Sequence, residues 1–160
     1  MSRKAPATAA MRVLERLGIP FTPHPYEHLD GVERYGAEAA EALGVPPERV
    51  FKTLVVEADA ALVVAVVPVS TTLDLKALAT AVQAKRAALA APGLAERRTG
   101  FVVGGISPVG QRSRLPLVLD SSASAHATVF VSGGRRGFDI ELAPTDLLRA
   151  TGGRTAEIGR

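Results

Sequence analysis

Two apolar, β-branched runs constrain this chain more than any other feature: Val50-Phe51-Lys52-Thr53-Leu54-Val55-Val56 and Ala61 to Val67, separated by a short turn containing Asp59. Branched and aromatic side chains pack well on a pleated surface, and two such runs about a short turn have the pattern of a buried hairpin. That hairpin is expected at the centre of a sheet. Helical spacing surrounds it. Met11, Leu14 and Leu17 share one face of a helix over about Ala7 to Leu17 that stops at Gly18, and a second helix from about Glu33 to Leu43 stops at Gly44. Leu75, Leu78, Ala79 and Val82 resume the spacing after Asp74, a suitable N-cap, and Pro92 to Arg98 forms another short helix before Gly100. Further strands are expected at Phe101–Val103, Leu117–Leu119, Val129–Val131 and Phe138–Leu142, with a last helix from Pro144 through Arg149. Pro23 and Pro25 remove ladder donors and restrict Phe21–Tyr26 to a sheet edge or a loop. Ser121 to Ala125 reads as a small-residue loop. Helices and strands mix without βαβ alternation, so the expected class is α+β. The whole of 1–160 forms a single domain with a mixed, largely antiparallel central sheet flanked by short helices.

A domain of 160 residues buries roughly 68–70% of its unfolded surface and needs no metal or disulfide to hold it. The absence of cysteine removes disulfides, thiolate metal sites and a protein thiol nucleophile together. Met1-Ser2-Arg3-Lys4 leads into an amphipathic pattern rather than a signal-peptide core, and no long apolar run occurs, so a soluble cytoplasmic protein is expected. Nineteen Lys and Arg against sixteen Asp and Glu give a formal charge of +3, which permits a nucleic-acid partner without requiring one. Two Tyr, five Phe and no Trp argue against a platform that stacks successive bases. Any nucleic-acid contact should be short and directed mainly at the backbone. About three phosphate contacts on duplex would give a slope of roughly −2.7 in log K against log salt.

Several chemistries fail on spacing. Gly105-Ile106-Ser107-Pro108-Val109-Gly110 has its second glycine one position too far for a nucleophile elbow, and Pro108 lacks the N–H that the elbow uses as an oxyanion donor. His24 and His28 have i, i+4 spacing, but Pro23 and Pro25 exclude the helix that would make them a metal pair; with His126 they read as surface or hydrogen-bonded histidines. Neither a Walker A sequence nor the dinucleotide glycine fingerprint is present.

What remains is concentrated in a few places. Gly104-Gly105-Ile106-Ser107-Pro108 and Ser132-Gly133-Gly134-Arg135-Arg136-Gly137 each follow an expected strand. Such loops are either tight turns, with Arg135-Arg136 a solvated tip, or cradles that present N–H groups to an oxygen. Lys52, inside an apolar strand, either snorkels to solvent or projects into a cleft where it holds oxygen electrostatically. Tyr26 and Tyr35 are either core-edge aromatics or a stacking face for a terminal adenosine. Asp139 reads on general grounds as a solvated strand-end residue.

Taken in order, Tyr26-Glu27-His28, Val50-Phe51-Lys52-Thr53-Leu54, Leu73-Asp74-Leu75-Lys76, Thr99 to Pro108 and Val131 to Leu142 resemble the YbaK-type Cys-tRNA(Pro) deacylases, relatives of the editing domain inserted in bacterial prolyl-tRNA synthetases. The resemblance covers nearly the whole chain. It implies a pocket in which Lys52 and Gly104 carry catalysis and Tyr26, Tyr35, Thr53, Gly105, Ser132 and Asp139 bind substrate, with no metal and no cofactor. Tyr35 stands where the family has phenylalanine, which keeps the aromatic face and adds a hydroxyl.

The implied reaction needs no protein nucleophile. The thiol of the bound cysteine attacks its own ester carbonyl and leaves as a cyclic thiolactone, and effective molarities of about 10⁵–10⁸ M for well-oriented intramolecular attack supply the gain. The implied partner is aminoacyl-tRNA, mainly its acceptor end, in cooperation with prolyl- or cysteinyl-tRNA synthetase. Two alternatives remain at this stage: an editing deacylase for another ester, such as Ala-tRNA(Pro), using water, and a non-enzymatic module that binds a tRNA terminus or nucleotide.

Overall fold

The structure, a computed structural model, describes residues 6–29 and 34–160. Helix α1 (Ala9–Leu17) begins at Thr8, whose Oγ1 accepts the Met11 amide at 3.2 Å, and closes at Gly18 in the left-handed conformation, φ 68°. Leu14 on its inner face is fully buried, whereas Leu17, expected on that face, is half exposed at the helix end. Strand β1 (Thr22–Pro25) is followed by α2 (Tyr35–Leu43); the start expected at Glu33 lies outside the described residues. The central hairpin is β2 (Phe51–Ala58) and β3 (Ala61–Pro68), turning at Asp59 with φ 54°. Then come α3 (Leu75–Ala81), capped by the Asp74 carboxylate at the Ala77 amide, β4 (Ala87–Leu89) and α4 (Pro92–Thr99). The chain continues through β5 (Leu117–Asp120), β6 (Val129–Arg135), β7 (Phe138–Leu142), α5 (Pro144–Thr151) and β8 (Arg154–Ala156).

The fold is α+β, with the strands in two sheets rather than one. The larger, in the order β4-β2-β3-β5-β8, is antiparallel through the hairpin and parallel at β3–β5 and β5–β8. The smaller, β1-β7-β6, is antiparallel, and β1 lies at its edge as the two prolines require. One parallel bridge, Val50 to Phe130, joins the sheets.

Period-two alternation along β2 and β3 divides the apolar side chains between two cores. Phe51, Val64 and Val66 face Val129, Val131, Phe138 and Ile140 of the small sheet, closed by Leu14 of α1 and Leu147 of α5. On the other face Val56, Val63, Ala65 and Val67 pack with Leu78 of α3 and Ile158. The tail is held by Asp120, which accepts the Ile158 and Gly159 amides at 2.9 and 2.8 Å. Burial alone would raise that carboxyl, but hydrogen bonds from Ser122, Ile158 and Gly159 hold it below the usual range.

Two expected elements change and two short strands are added. Phe101–Val103 is a loop: its Phe101 and Val103 amides are taken by Thr99 Oγ1 at 3.3 Å and Glu96 Oε2 at 2.8 Å, which leaves no ladder to form. Ser121–Ala125 is a 3-10 turn capped by Asp120. The short strands β4 and β8 carry no strong sequence signal and exist because each pairs with a sheet edge. No helix among the described residues is long and apolar enough to cross a membrane.

Candidate active site

A break in the pairing of β2 creates the site. On the side away from β3, Val50, just before β2, forms a single bridge to Phe130 of β6, and β2 pairs with β4 from Val56 onward, where the Ala90 amide also reaches the Val55 carbonyl at 2.9 Å. Between these points the edge at residues 51–54 has no neighbouring strand among the described residues, and a cavity of about 530 Å³ opens there, within the size range of small-molecule sites. Because the cavity wraps an edge, residues from both faces of β2 line it, Lys52 and Leu54 from one and Phe51, Thr53 and Val55 from the other. Backbone groups alternate in direction along a strand, so Thr53, two residues from Val55, also turns its N–H and C=O toward this edge.

Seven of the eight residues named from the sequence come together on this wall: Tyr26, Tyr35, Lys52, Thr53, Gly104, Ser132 and Asp139. Gly105 does not reach the cavity. It is buried behind it, and a Cβ there would lie 2.8 Å from the backbone of Arg135 and Arg136, so its missing side chain lets the two glycine-rich loops touch. Gly104 has φ +89°, and a Cβ on it would sit 2.7 Å from Cδ1 and Cε1 of Tyr35. The Tyr35 ring therefore lies flat against the one residue that tolerates it.

Ser132 and Asp139 arrive as cross-strand partners at the end of the β6–β7 ladder, where a bulge between Ser132 and Arg135 shifts the register. Asp139 is buried, contrary to its reading as a solvated strand end, and burial pushes its carboxyl up to about 7. Lys52 is half-buried and desolvation draws its ammonium below the ordinary lysine range. Among the described residues no ion pair joins Lys52 or Asp139 to any group. Burial, with smaller contributions from Asp139 and Glu38, raises the Tyr26 phenol to about 12, so it is a donor at neutral pH. Thr53 Oγ1 is buried with no hydrogen-bond partner among the described residues.

The cavity thus holds a cation, a carboxyl poised near neutrality, a phenol and close backbone approach, set on apolar walls from Val69, Leu89 and Ile106. Among the described residues none of its hydroxyls is hydrogen-bonded to a base. Ser132 Oγ accepts the Gly134 amide at 3.2 Å, and Ser107 is fully buried elsewhere with its Oγ at the Val109 amide. Two of the three histidines pair with carboxylates: His24 Nε2 meets Glu141 at 2.9 Å, and His28 Nδ1 meets Glu38 at 2.7 Å.

Two features escaped the sequence. Arg34 lines the cavity at the start of α2, and nothing in its local sequence marks it. Arg136, read as a turn tip, donates from Nε to the Val103 carbonyl at 2.9 Å and stands 5.2 Å over the Tyr35 ring. It thereby ties together the three segments around the cavity mouth.

Against known proteins, residues 32–150 match the model of the aminoacyl-tRNA editing domain. EbsC of Enterococcus faecalis, named as a candidate Cys-tRNA(Pro)/Cys-tRNA(Cys) deacylase, is 39% identical over 153 residues, covering 94% of this chain and 92% of that protein. A crystal structure described as a candidate trans-editing enzyme for prolyl tRNA synthetase superposes with a TM-score of 0.80 at 26% identity, covering 98% of this chain and 99% of the other. Hypothetical protein APE2540 superposes with a TM-score of 0.86, also at 26% identity, over 95% and 99% of the two chains. The chain, with its open β2 edge and the seven-residue wall built around it, belongs to the aminoacyl-tRNA editing domain family.

Proposed function

We propose that this protein is a trans-editing hydrolase that deacylates Cys-tRNA(Pro), binding the acceptor end of the tRNA in the β2-edge cavity. The observation that carries this reading is a cavity with charge and donors for an ester in which, among the described residues, no hydroxyl is hydrogen-bonded to a base. The kinship with EbsC supports cysteine as the amino acid.

In this reading the substrate supplies the nucleophile. The cysteinyl thiol gives up its proton, to Asp139 in its carboxylate form, and sulfur attacks the ester carbonyl carbon. A C–S bond forms, the bond from that carbon to the ribose oxygen breaks, and the leaving oxygen takes a proton to regenerate the tRNA hydroxyl. The Lys52 ammonium and the inward-turned Thr53 amide face the oxygen on which charge develops, a kind of stabilisation worth roughly 10²–10³ in rate per donor. Tyr35, flat on Gly104, offers a stacking face to the terminal adenine.

The neutral-range carboxyl of Asp139 favours one second reading, in which it activates water on an ester such as Ala-tRNA(Pro). Single-turnover deacylation of Cys-tRNA(Pro), its S-methylated counterpart and Ala-tRNA(Pro) distinguishes the two. A thiol of ordinary pKa near 8.5 is a few per cent thiolate at neutral pH and strongly nucleophilic, so only the free-thiol ester should react fast. Rapid loss of the S-methyl or alanyl ester would replace the thiol mechanism with water.

A further inference from the structure

The segment from α4 to the start of β5 carries charge that the cavity does not use. Residues 92–114 hold four arginines against one glutamate, a local excess of +3 that equals the formal excess of the whole chain. Arg97, Arg98, Arg112 and Arg114 are all exposed, and no carboxylate of the described residues pairs with any of them. The single glutamate, Glu96, is engaged at the Val103 amide at 2.8 Å.

These arginines form a connected path. Ala95 lines the catalytic cavity, and the next turn of the same helix carries Arg97 and Arg98. Arg112 reaches back to the Arg97 carbonyl at 3.3 Å, and Arg98 Nε meets Ser113 Oγ at 3.2 Å, so the 112–114 stretch is held against the end of α4. Ser113 and Arg114 then line a second cavity of about 270 Å³, which Arg16 of α1 also lines. Five arginines therefore lie on the segments between the two cavities, with Arg112 and Arg98 held by the contacts just given.

Resting on the deacylase reading, we propose that Arg97, Arg98, Arg112, Arg114 and Arg16 form a track for the phosphodiester backbone of the tRNA acceptor arm, ending in the second cavity. Guanidinium groups pair bidentately with phosphate, and neighbouring exposed arginines without carboxylate partners among the described residues offer several such contacts side by side. The footprint is then broader than the three contacts inferred from composition. Five neutralised phosphates correspond to a slope of roughly −4.5 in log K against log salt.

The experiment measures binding of uncharged tRNA(Pro) across a salt series by the intact protein and by the variant Arg97→Gln/Arg98→Gln/Arg112→Gln. It also measures deacylation of Cys-tRNA(Pro) and of cysteinyl-adenosine, which lacks the arm. Wild-type protein should show the steeper slope, and the variant should lose about 2.7 of it. Turnover of Cys-tRNA(Pro) below saturation should fall at least tenfold in the variant while that of cysteinyl-adenosine stays level. A wild-type slope of −2.7 or shallower, or a folded variant with unchanged slope and affinity, would overturn the track; the wild-type slope decides the matter even if the variant does not fold. Failure of wild-type protein to deacylate either ester would instead overturn the deacylase reading, while the binding slope still reports on the track.

Discussion

Replacing Asp139 by asparagine should make the protein more stable at pH 8 while removing its turnover. The side chain is 5% exposed, no hydrogen bond or ion pair compensates it among the described residues, and its carboxyl sits near 7 rather than 3.8. A raised carboxyl pKa means that the folded state holds the proton while the unfolded chain releases it. Stability from this group is therefore complete below pH 3.8 and is lost as pH rises toward about 7. At 1.36 kcal/mol per unit, the full penalty above pH 7 is roughly 4 kcal/mol. At pH 5 it is about 1.7 kcal/mol, so wild-type protein should lose about 2.5 kcal/mol between pH 5 and pH 8 that Asp139→Asn does not. Asparagine preserves the shape and removes the titration. Urea unfolding of both proteins at the two pH values gives the difference directly, and the two histidine–glutamate contacts cancel because both proteins keep them. A gap between the proteins that does not change with pH would show that the carboxyl is not forced upward by burial. Equal single-turnover rates would remove Asp139 from the chemistry.

Lys52→Ala should leave a folded protein, by circular dichroism, whose single-turnover rate falls by roughly 10²–10³; normal turnover would take the ammonium out of the site. Thr53→Val replaces a buried hydroxyl without a partner by a methyl of the same shape, so the unfolding free energy should rise by about 1 kcal/mol, and a loss of that size would mean the hydroxyl is satisfied. Gly104→Ala sets a Cβ against the Tyr35 ring at 2.7 Å in a φ +89° conformation. It should cost roughly 1–3 kcal/mol of stability and slow deacylation by more than tenfold, whereas an unchanged rate would mean that the Tyr35 wall is not part of binding.

The hairpin, the helices and the edge position of β1 were legible because each rests on a local rule: β-branched runs, Asp74 and Gly18 at helix ends, prolines without donors. Phe101–Val103 misled because apolar composition alone cannot reveal that Thr99 and Glu96 capture its amides. The alanine-rich β4 has low strand preference and is made a strand by its neighbour. The family blocks named seven residues that line the cavity, but not the reason they meet. That reason is the unpaired edge of β2, a property of two sheets and visible in neither run alone. The same limit applies to Arg136 and to Gly105, whose partners lie about thirty positions away in the chain.

The division of the cavity between two sheets sets an order of assembly. Lys52 and Thr53 belong to a hairpin whose strands are adjacent in sequence, whereas Ser132 and Asp139 belong to another hairpin some eighty residues later. Each hairpin can form by short-range closure, but the cavity exists only after the distant Val50–Phe130 contact has closed, and such closures come late and carry the larger entropic cost. During refolding, secondary structure should therefore return before deacylase activity does. The interval between the two signals then measures how long that last closure takes.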